Sequence, residues 1–381
     1  MAGNRGCFVP CVRTVLIVGG GIAGLTASIA LAREGIVSEI VEISAAGEPI
    51  GAGVTITGRA IDVLGEIGAL EHCRQLGHVN CVTGGLFDAA GVPVGGDPPG
   101  GHVSPPTVGL YRPVLSGLLQ DQARSCGVRL HFNTSVGELS SDADDIVVGF
   151  TDGTRRRYDL VVGADGIRSQ VRRLVWGEDI RPRRTGQMSF RWMAPGPPIE
   201  GPAMMYAAPG IKILGYSLPR QNLIYVATVL DRDLTHLDEE MARALLAEQF
   251  AAFIAPYIVE LARRLTSTAH VIVRPFEWLL VPAPWWRGRV VLIGDAAHAT
   301  TAHLASGAGM AMEDAVVLAR SLGAAGSVPE ALDAFMTRRF ERVRLVVETS
   351  VALSQMEQQG AAPGDIAALR TQAQRQLALP Y

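Results

Sequence analysis

TVLIVGGGIAGLTASIALAREGIVSEIVE, residues 14–42, decides the fold. The apolar run Val15–Val18 stops at three glycines and reads as a buried strand. Ile22–Arg33 follows as a helix, with Gly35 placed to cap its C-terminus, and Val37–Glu42 reads as a second strand. That βαβ start favours an α/β fold with a parallel, doubly wound sheet. Within the first turn, Gly19, Gly21 and Gly24 make a G-x-G-x-x-G. Its glycines allow a tight turn and let a pyrophosphate sit against backbone N–H groups at the helix N-terminus. Glu42 ends the second strand 23 residues after Gly19, placed for a ribose hydroxyl. Glu39 is the competing acid, but it precedes the apolar pair Ile40-Val41 rather than ending the strand. The uncharged stretch Thr14–Ala32 is nearly long enough to span a bilayer. Its glycines, and the lack of a basic leader before it, favour the strand, turn and helix instead.

Beyond this stretch, 381 residues exceed what one hydrophobic core usually organises, so two lobes or an elaborated domain are expected. Hydrophobic residues at 48% and charged residues at 19% exclude a disordered chain. The 34 basic and 37 acidic side chains nearly balance, which argues against a nucleic-acid partner. Cys7, Cys11, Cys73, Cys81 and Cys126 form neither a metal pattern nor a secretory framework, and a reducing cytoplasm fits them best. All basic residues but one are arginine, an excess that codon bias explains. The exception is Lys212, and of the two residue types only lysine deprotonates readily when buried.

Along the chain, residues 91–107 read as loop and Pro113–Cys126 as a helix with proline in its first turn. Strands are expected at Arg129–Phe132, Ile146–Phe150 and Asp159–Val162. A separate antiparallel sheet is expected from Gln187–Met193, Ala203–Tyr206, Lys212–Ser217 and Leu223–Leu230. Asp238–Ala255 reads as a helix stopped by Pro256, Val290–Ile293 as a buried strand, and the remainder as mostly helical. The basic runs Arg155–Arg157 and Arg181–Arg184 read as solvated loops.

Two further turns resemble the first. Gly294-Asp295-Ala296-Ala297-His298 follows an apolar strand, and Asp295 offers an acceptor for a sugar-like hydroxyl. Gly307 and Ala308, within Ala305–Gly309, then supply N–H groups at the start of the next helix. Asp165-Gly166 ends the buried run Asp159–Gly163, with Ser169 and Arg172 following. On its own that segment reads equally as a plain turn.

The three motifs in this order resemble the group A flavoprotein aromatic hydroxylases, typified by para-hydroxybenzoate hydroxylase, over about residues 13–350. Salicylate, 3-hydroxybenzoate and 6-hydroxynicotinate hydroxylases are the nearest in kind. The resemblance implies a discontinuous Rossmann-type FAD domain (13–70, 105–180, 275–345), an inserted antiparallel β-sheet substrate domain (71–104, 181–274) and a C-terminal helical segment (346–381). It also implies FAD as cofactor, NADH or NADPH and O2 as co-substrates, and a monomer or homodimer with no membrane partner. Hydroxylation of an electron-rich phenolic or hydroxypyridine acid-like ring would proceed through a flavin C4a-hydroperoxide. Epoxidation or another tailoring oxidation, or a flavin-bound protein without catalysis, remain the other readings.

Carried over residue by residue, Ala23 and its glycines hold the pyrophosphate and Glu42 the adenosine ribose. Gly53 and Val54 run along the flavin ring, Arg112 contacts FAD, and the Val136 backbone meets the adenine. Asp295 takes the ribityl chain, Gly307 and Ala308 approach the ring, and Asp165-Gly166 is shared with the nicotinamide cofactor. Two departures stand out. A usual proline is replaced by Ala302, followed by His303, which could then face the substrate. Lys212 precedes Tyr216 by four residues, where close relatives place a histidine base. The two share a strand face, so Lys212 is either a base, a holder of phenolate or carboxylate, or a solvated lysine. Arg191 on the neighbouring strand is a second anion binder or a surface ion pair.

Overall fold

Thr14–Val18 lies in the middle of a six-stranded sheet ordered Trp286–Arg287, Val290–Leu292, Leu160–Gly163, Thr14–Val18, Val37–Glu42, Arg129–Phe132. The computed structural model describes residues 11–45, 51–81, 87–94, 106–142, 144–201, 203–207, 211–234 and 237–381. All strand pairs in this sheet are parallel except the Trp286–Arg287 edge. Leu16, Ile17, Leu160, Val161 and Val162 are fully buried, which is why these strands read as unbroken apolar runs. Ile22–Arg33 packs against Gly307–Ala324, and Gly35, at φ +77°, donates its N–H to the Ala32 carbonyl at 3.1 Å.

A five-stranded antiparallel sheet is ordered Met204–Tyr206, Lys212–Leu218, Leu223–Leu230, Arg183–Pro195, Val271–Trp278. On one face Phe190, Trp192, Ile213 and Val226 form a core with Leu246, Phe250, Ile258 and Leu261, the apolar sides of helices Glu239–Ala251 and Pro256–Arg264. The opposite face carries Lys212, Leu214 and Tyr216. Val271–Trp278 escapes sequence reading because Arg274 and Pro275 interrupt its pattern, and an edge strand tolerates both.

Gly53–Thr57, Thr107–Tyr111 and His78–Val79 form a small sheet, and Val136–Ser141, Ile146–Phe150 and Arg155–Tyr158 another.

Three expectations need correction. Arg155–Arg157 is an edge strand, not a loop, and each arginine has a carboxylate: Glu138 at 2.7 Å, Glu39 at 3.1 Å and Asp145 at 2.7 Å, respectively. Arg183 and Arg184 open the 13-residue strand Arg183–Pro195, with Arg184 2.9 Å from Asp233 and Arg183 over the Trp278 ring. Pro256 starts a helix rather than merely ending one, because its missing N–H costs nothing in a first turn.

The chain ends in the 31-residue helix Val328–Gln358 and in Pro363–Leu377. The boundaries expected at 274/275 and 345/346 fall inside the Val271–Trp278 strand and the Val328–Gln358 helix. Cys7 lies outside the described residues, as does most of the 91–107 loop. Among the described residues no helix is long and apolar enough to cross a membrane.

Candidate functional site: a nucleotide cradle and a sheet floor

At Gly19, φ +109°, a Cβ would lie 2.4 Å from the Ala164 carbonyl oxygen, and at Gly24 only 2.0 Å from the Gly19 oxygen. The first turn is therefore jammed against the third motif, and no side chain fits between them. At Gly21 a Cβ would meet nothing within 4 Å. Open space thus lies before the Ile22–Arg33 helix, whose N-terminus has no side-chain cap. Unclosed N–H groups facing a void at a helix start match a pyrophosphate. Glu42 is held at the strand end by the Gly20 N–H at 2.7 Å and the Ser44 N–H at 2.9 Å. The segment leading to buried Val136 is tied to the same strand end, with the Thr134 N–H on the Glu42 carbonyl at 3.0 Å.

The second motif closes on the first. A Cβ at Gly294, φ +57°, would meet the Ala23 Cβ at 3.0 Å and the Ala311 Cβ at 3.1 Å. Asp295 beside it has exposed surface, yet desolvation by surrounding protein raises its pKa, offset in part by His298 and Arg112. Its exposed surface is therefore the wall of a deep cleft. Arg112 packs along Gly51, where a Cβ would be 2.7 Å from its Cδ, and donates its N–H to the Ala52 carbonyl at 3.0 Å. Gly307 and Ala308 open the Gly307–Ala324 helix, again with no side-chain cap. Two uncapped helix starts, an arginine and two carboxylates around one cleft suit FAD: diphosphate on the N–H groups, hydroxyls on Glu42 and Asp295.

Asp165 is already engaged. It accepts from Ser169 Oγ at 2.5 Å and from the Gln170 and Val171 N–H groups at 2.6 and 3.0 Å, fixing the start of helix Gln170–Trp176. Gly166 turns the chain there with φ +76°. Arg172 joins the motifs by donating to the Ala296 carbonyl at 2.8 Å and the Ile167 carbonyl at 2.7 Å.

Sequence reading missed a buried ionic network. Arg339, on the long helix, donates to Asp314 Oδ1 at 2.7 Å and Glu313 Oε2 at 2.6 Å, all three essentially without exposure. Asp314 Oδ2 in turn receives the Gly294 N–H at 2.9 Å and lies 2.5 Å from His298 Nε2. Nearby positive charge and these hydrogen bonds hold the Asp314 carboxyl below its ordinary range against strong desolvation. The pair Glu313-Asp314 inside the otherwise apolar run 307–319 was the available signal, since buried carboxylates require partners.

The antiparallel sheet supplies a floor. Pairing aligns Leu214, Ala227, Arg191 and Ile272 in one row across four strands, and opposed residues share a face. All four are only half-buried. The rows on either side are closed by Val229 and Ser189, and by Tyr216 and Tyr225. The open row is thus the bottom of a recess in mid-sheet, aliphatic except for Arg191. Arg191 donates from Nε to Ser189 Oγ at 3.2 Å and has no carboxylate partner among the described residues.

Tyr216 and Tyr225 stand at one end of the recess, ring centroids 5.1 Å apart. Tyr216 lies 3.4 Å from Thr55 Oγ1, and burial raises its pKa well above the ordinary tyrosine value. A Cβ at Gly53 would overlap the Tyr225 ring at 2.5 Å, so the strand carrying Gly53 and half-buried Val54 abuts this end. Lys212 shares the Tyr216 face but stands at the opposite end. Its Nζ lies 2.7 Å from both carboxylate oxygens of Glu357, near the end of the long helix. His303 Nε2 is 3.2 Å from Glu357 Oε2, its Nδ1 is 2.7 Å from Thr301 Oγ1, and its ring meets Phe276 edge-on at 5.3 Å. Burial, then the Lys212 charge, lowers the His303 pKa to about 4, while Glu357 is lowered to about 2 despite desolvation, by His303 and Lys212. At neutral pH the cluster is an ammonium, a carboxylate and a neutral imidazole.

A family described as FAD binding domain matches residues 13–350 of this sequence. The chain belongs to that family. It is an FAD-dependent monooxygenase of the aromatic-hydroxylase type. The 2-heptyl-3-hydroxy-4(1H)-quinolone synthase of Pseudomonas aeruginosa is 33% identical over 356 residues, 91% of this chain and 90% of that protein. The 3-hydroxybenzoate 6-hydroxylase 1 of Aquipseudomonas alcaligenes is 31% identical over 87% of this chain and 86% of its own. In fold, the structure resembles 2,6-dihydroxypyridine-3-hydroxylase from Arthrobacter nicotinovorans, with a TM-score of 0.78 at 21% identity over 94% of this chain and 96% of that one.

Proposed function

We propose that this protein hydroxylates a small, electron-rich aromatic ring that lies on the Leu214–Ala227–Arg191–Ile272 floor, consuming NAD(P)H and O2. The observation that carries the reading is the half-buried row Leu214–Ala227–Arg191–Ile272, flanked by buried Val229 and Ser189 on one side and buried Tyr216 and Tyr225 on the other. Bound FAD would supply the oxygen-activating redox chemistry. The chain's own residues do the rest. Leu214, Ala227 and Ile272 take the ring's apolar face and keep water out. Arg191 stabilises the oxyanion of an ionised ring hydroxyl. Tyr216, kept protonated by burial, donates a hydrogen bond. The nucleotide-binding half would comprise 13–70, 105–180 and 279–358, and the substrate half 71–104 and 181–278, which keeps the Val271–Trp278 strand and the Val328–Gln358 helix whole. Relatives named for an alkylquinolone and for a hydroxybenzoate define the two ring chemistries to test first.

The test is NAD(P)H oxidation by the FAD-loaded protein with hydroxyquinolines, hydroxypyridines and hydroxybenzoates. A ring that accelerates oxidation and gains one oxygen supports the reading, and Arg191→Met should raise its KM at least tenfold with FAD retained. No acceleration and no added oxygen with any ring would refute it.

A further inference from the structure

From the charges around the recess, we infer that Glu357 determines substrate specificity: by cancelling Lys212, it limits the site to rings with one ionisable oxygen and no carboxylate. The inference rests on the ring-hydroxylation reading above. Three cations, Arg191, Lys212 and Arg274, lie on the recess face of the sheet. Arg274 is solvent-exposed on the edge strand, so Arg191 is the half-buried one without a carboxylate partner among the described residues. Lys212 is bound by both Glu357 oxygens at 2.7 Å, with its side chain 16% exposed and that of Glu357 8%. A desolvated bidentate pair resists exchange, because freeing either partner leaves a charge unmatched in a low-dielectric surrounding.

The neighbours do not restore the missing charge. His303 is neutral at physiological pH. Arg370, on the Pro363–Leu377 helix, acts on His303, and Asp231 acts on Glu357, so these two bring one charge of each sign. The Lys212 end of the recess therefore offers hydrogen-bonding groups without net charge, and Arg191 provides the single positive charge on the floor. A ring with one oxyanion matches it. A carboxylated phenol brings a second negative charge that faces either the aliphatic floor or the Glu357 carboxylate, and like charges at close range discriminate strongly.

The experiment compares 4-hydroxyquinoline with 4-hydroxyquinoline-2-carboxylate, and 3-hydroxybenzamide with 3-hydroxybenzoate, on the FAD-loaded enzyme. Dissociation constants come from the perturbed flavin absorbance, and turnover from NAD(P)H oxidation. The wild type should favour the uncharged member of each pair at least tenfold. Glu357→Gln frees the ammonium and should shift the ratio toward the carboxylate by tenfold or more. Glu357→Asp should keep the wild-type ratio. Lys212→Met combined with Glu357→Gln should restore it, which separates the charge of Lys212 from any loss of packing. If Glu357→Gln fails to hold FAD, Lys212→Met alone decides the matter: it leaves the Glu357 carboxylate uncancelled and should strengthen the preference for the uncharged member, and an unmoved ratio overturns the inference. A wild type that prefers carboxylates, or a ratio unmoved in flavin-loaded Glu357→Gln, overturns the inference while leaving ring hydroxylation standing. Failure of every ring to bind or turn over refutes both.

Discussion

Arg339→Met tests whether the buried network holds the Asp295 turn in place. The guanidinium is fully buried and satisfies Asp314 Oδ1 at 2.7 Å, Glu313 Oε2 at 2.6 Å and the Met310 carbonyl at 3.2 Å. Methionine fills much of the volume but leaves Glu313 with Arg342 alone and Asp314 with His298 and the Gly294 N–H alone. Removing one partner of a buried ionic network costs about 3–5 kcal/mol, or about two to three and a half orders of magnitude in the folding equilibrium. With a urea slope of roughly 3 kcal/mol per molar for a long chain, the unfolding midpoint should fall by about 1 M. Tryptophan fluorescence reads this directly, because Trp285 is fully buried and its ring lies 5.0 Å from His298. Since Asp314 also holds the Gly294 N–H, FAD occupancy should fall in parallel. A midpoint displaced by less than about 0.3 M, equivalent to about 1 kcal/mol, together with unchanged flavin content, would refute the reasoning.

Two other predictions concern acid stability and the cradle. His303 titrates near 4 in the folded state against its ordinary 6.5, so the unfolded chain takes up a proton that the folded one refuses. Its stabilisation is complete above pH 6.5 and is lost as pH falls toward 4, amounting to about 2 kcal/mol between pH 7 and pH 5. Urea midpoints at those two pH values should converge in His303→Gln; an unchanged pH dependence would sink the assignment. Glu357, lowered to about 2 from 4.5, adds its own loss only below pH 4.5. In Gly24→Ala the new methyl would lie 2.0 Å from the Gly19 carbonyl oxygen, a backbone atom that cannot move aside, so the protein should purify without flavin absorbance. Retention of stoichiometric FAD would show that the turn is not the cradle.

Much of this protein is local information. The strand Val37–Glu42, the helix Ile22–Arg33 and the strand Leu223–Leu230 lie where the sequence places them. Their hydrophobic periods and glycine stops operate within a few residues, and the three nucleotide motifs are legible for the same reason. Less was legible where solvated or edge segments obscure the pattern, as in the arginine strand Arg155–Tyr158 and the proline-bearing strand Val271–Trp278. The residue pair Lys212 and Tyr216 was visible from spacing alone, since alternate residues share a strand face. The state of Lys212 was not, because Glu357 lies 145 residues away and reaches it only after the long helix docks on the sheet. The same holds for Arg339 with Glu313 and Asp314, which meet across two helices. Backbone conformation and motif chemistry depend on neighbours in the chain, so the sequence by itself determines the family and the cofactor turns. Charge pairing depends on neighbours in space, so only the tertiary structure decides which cation is left for a substrate.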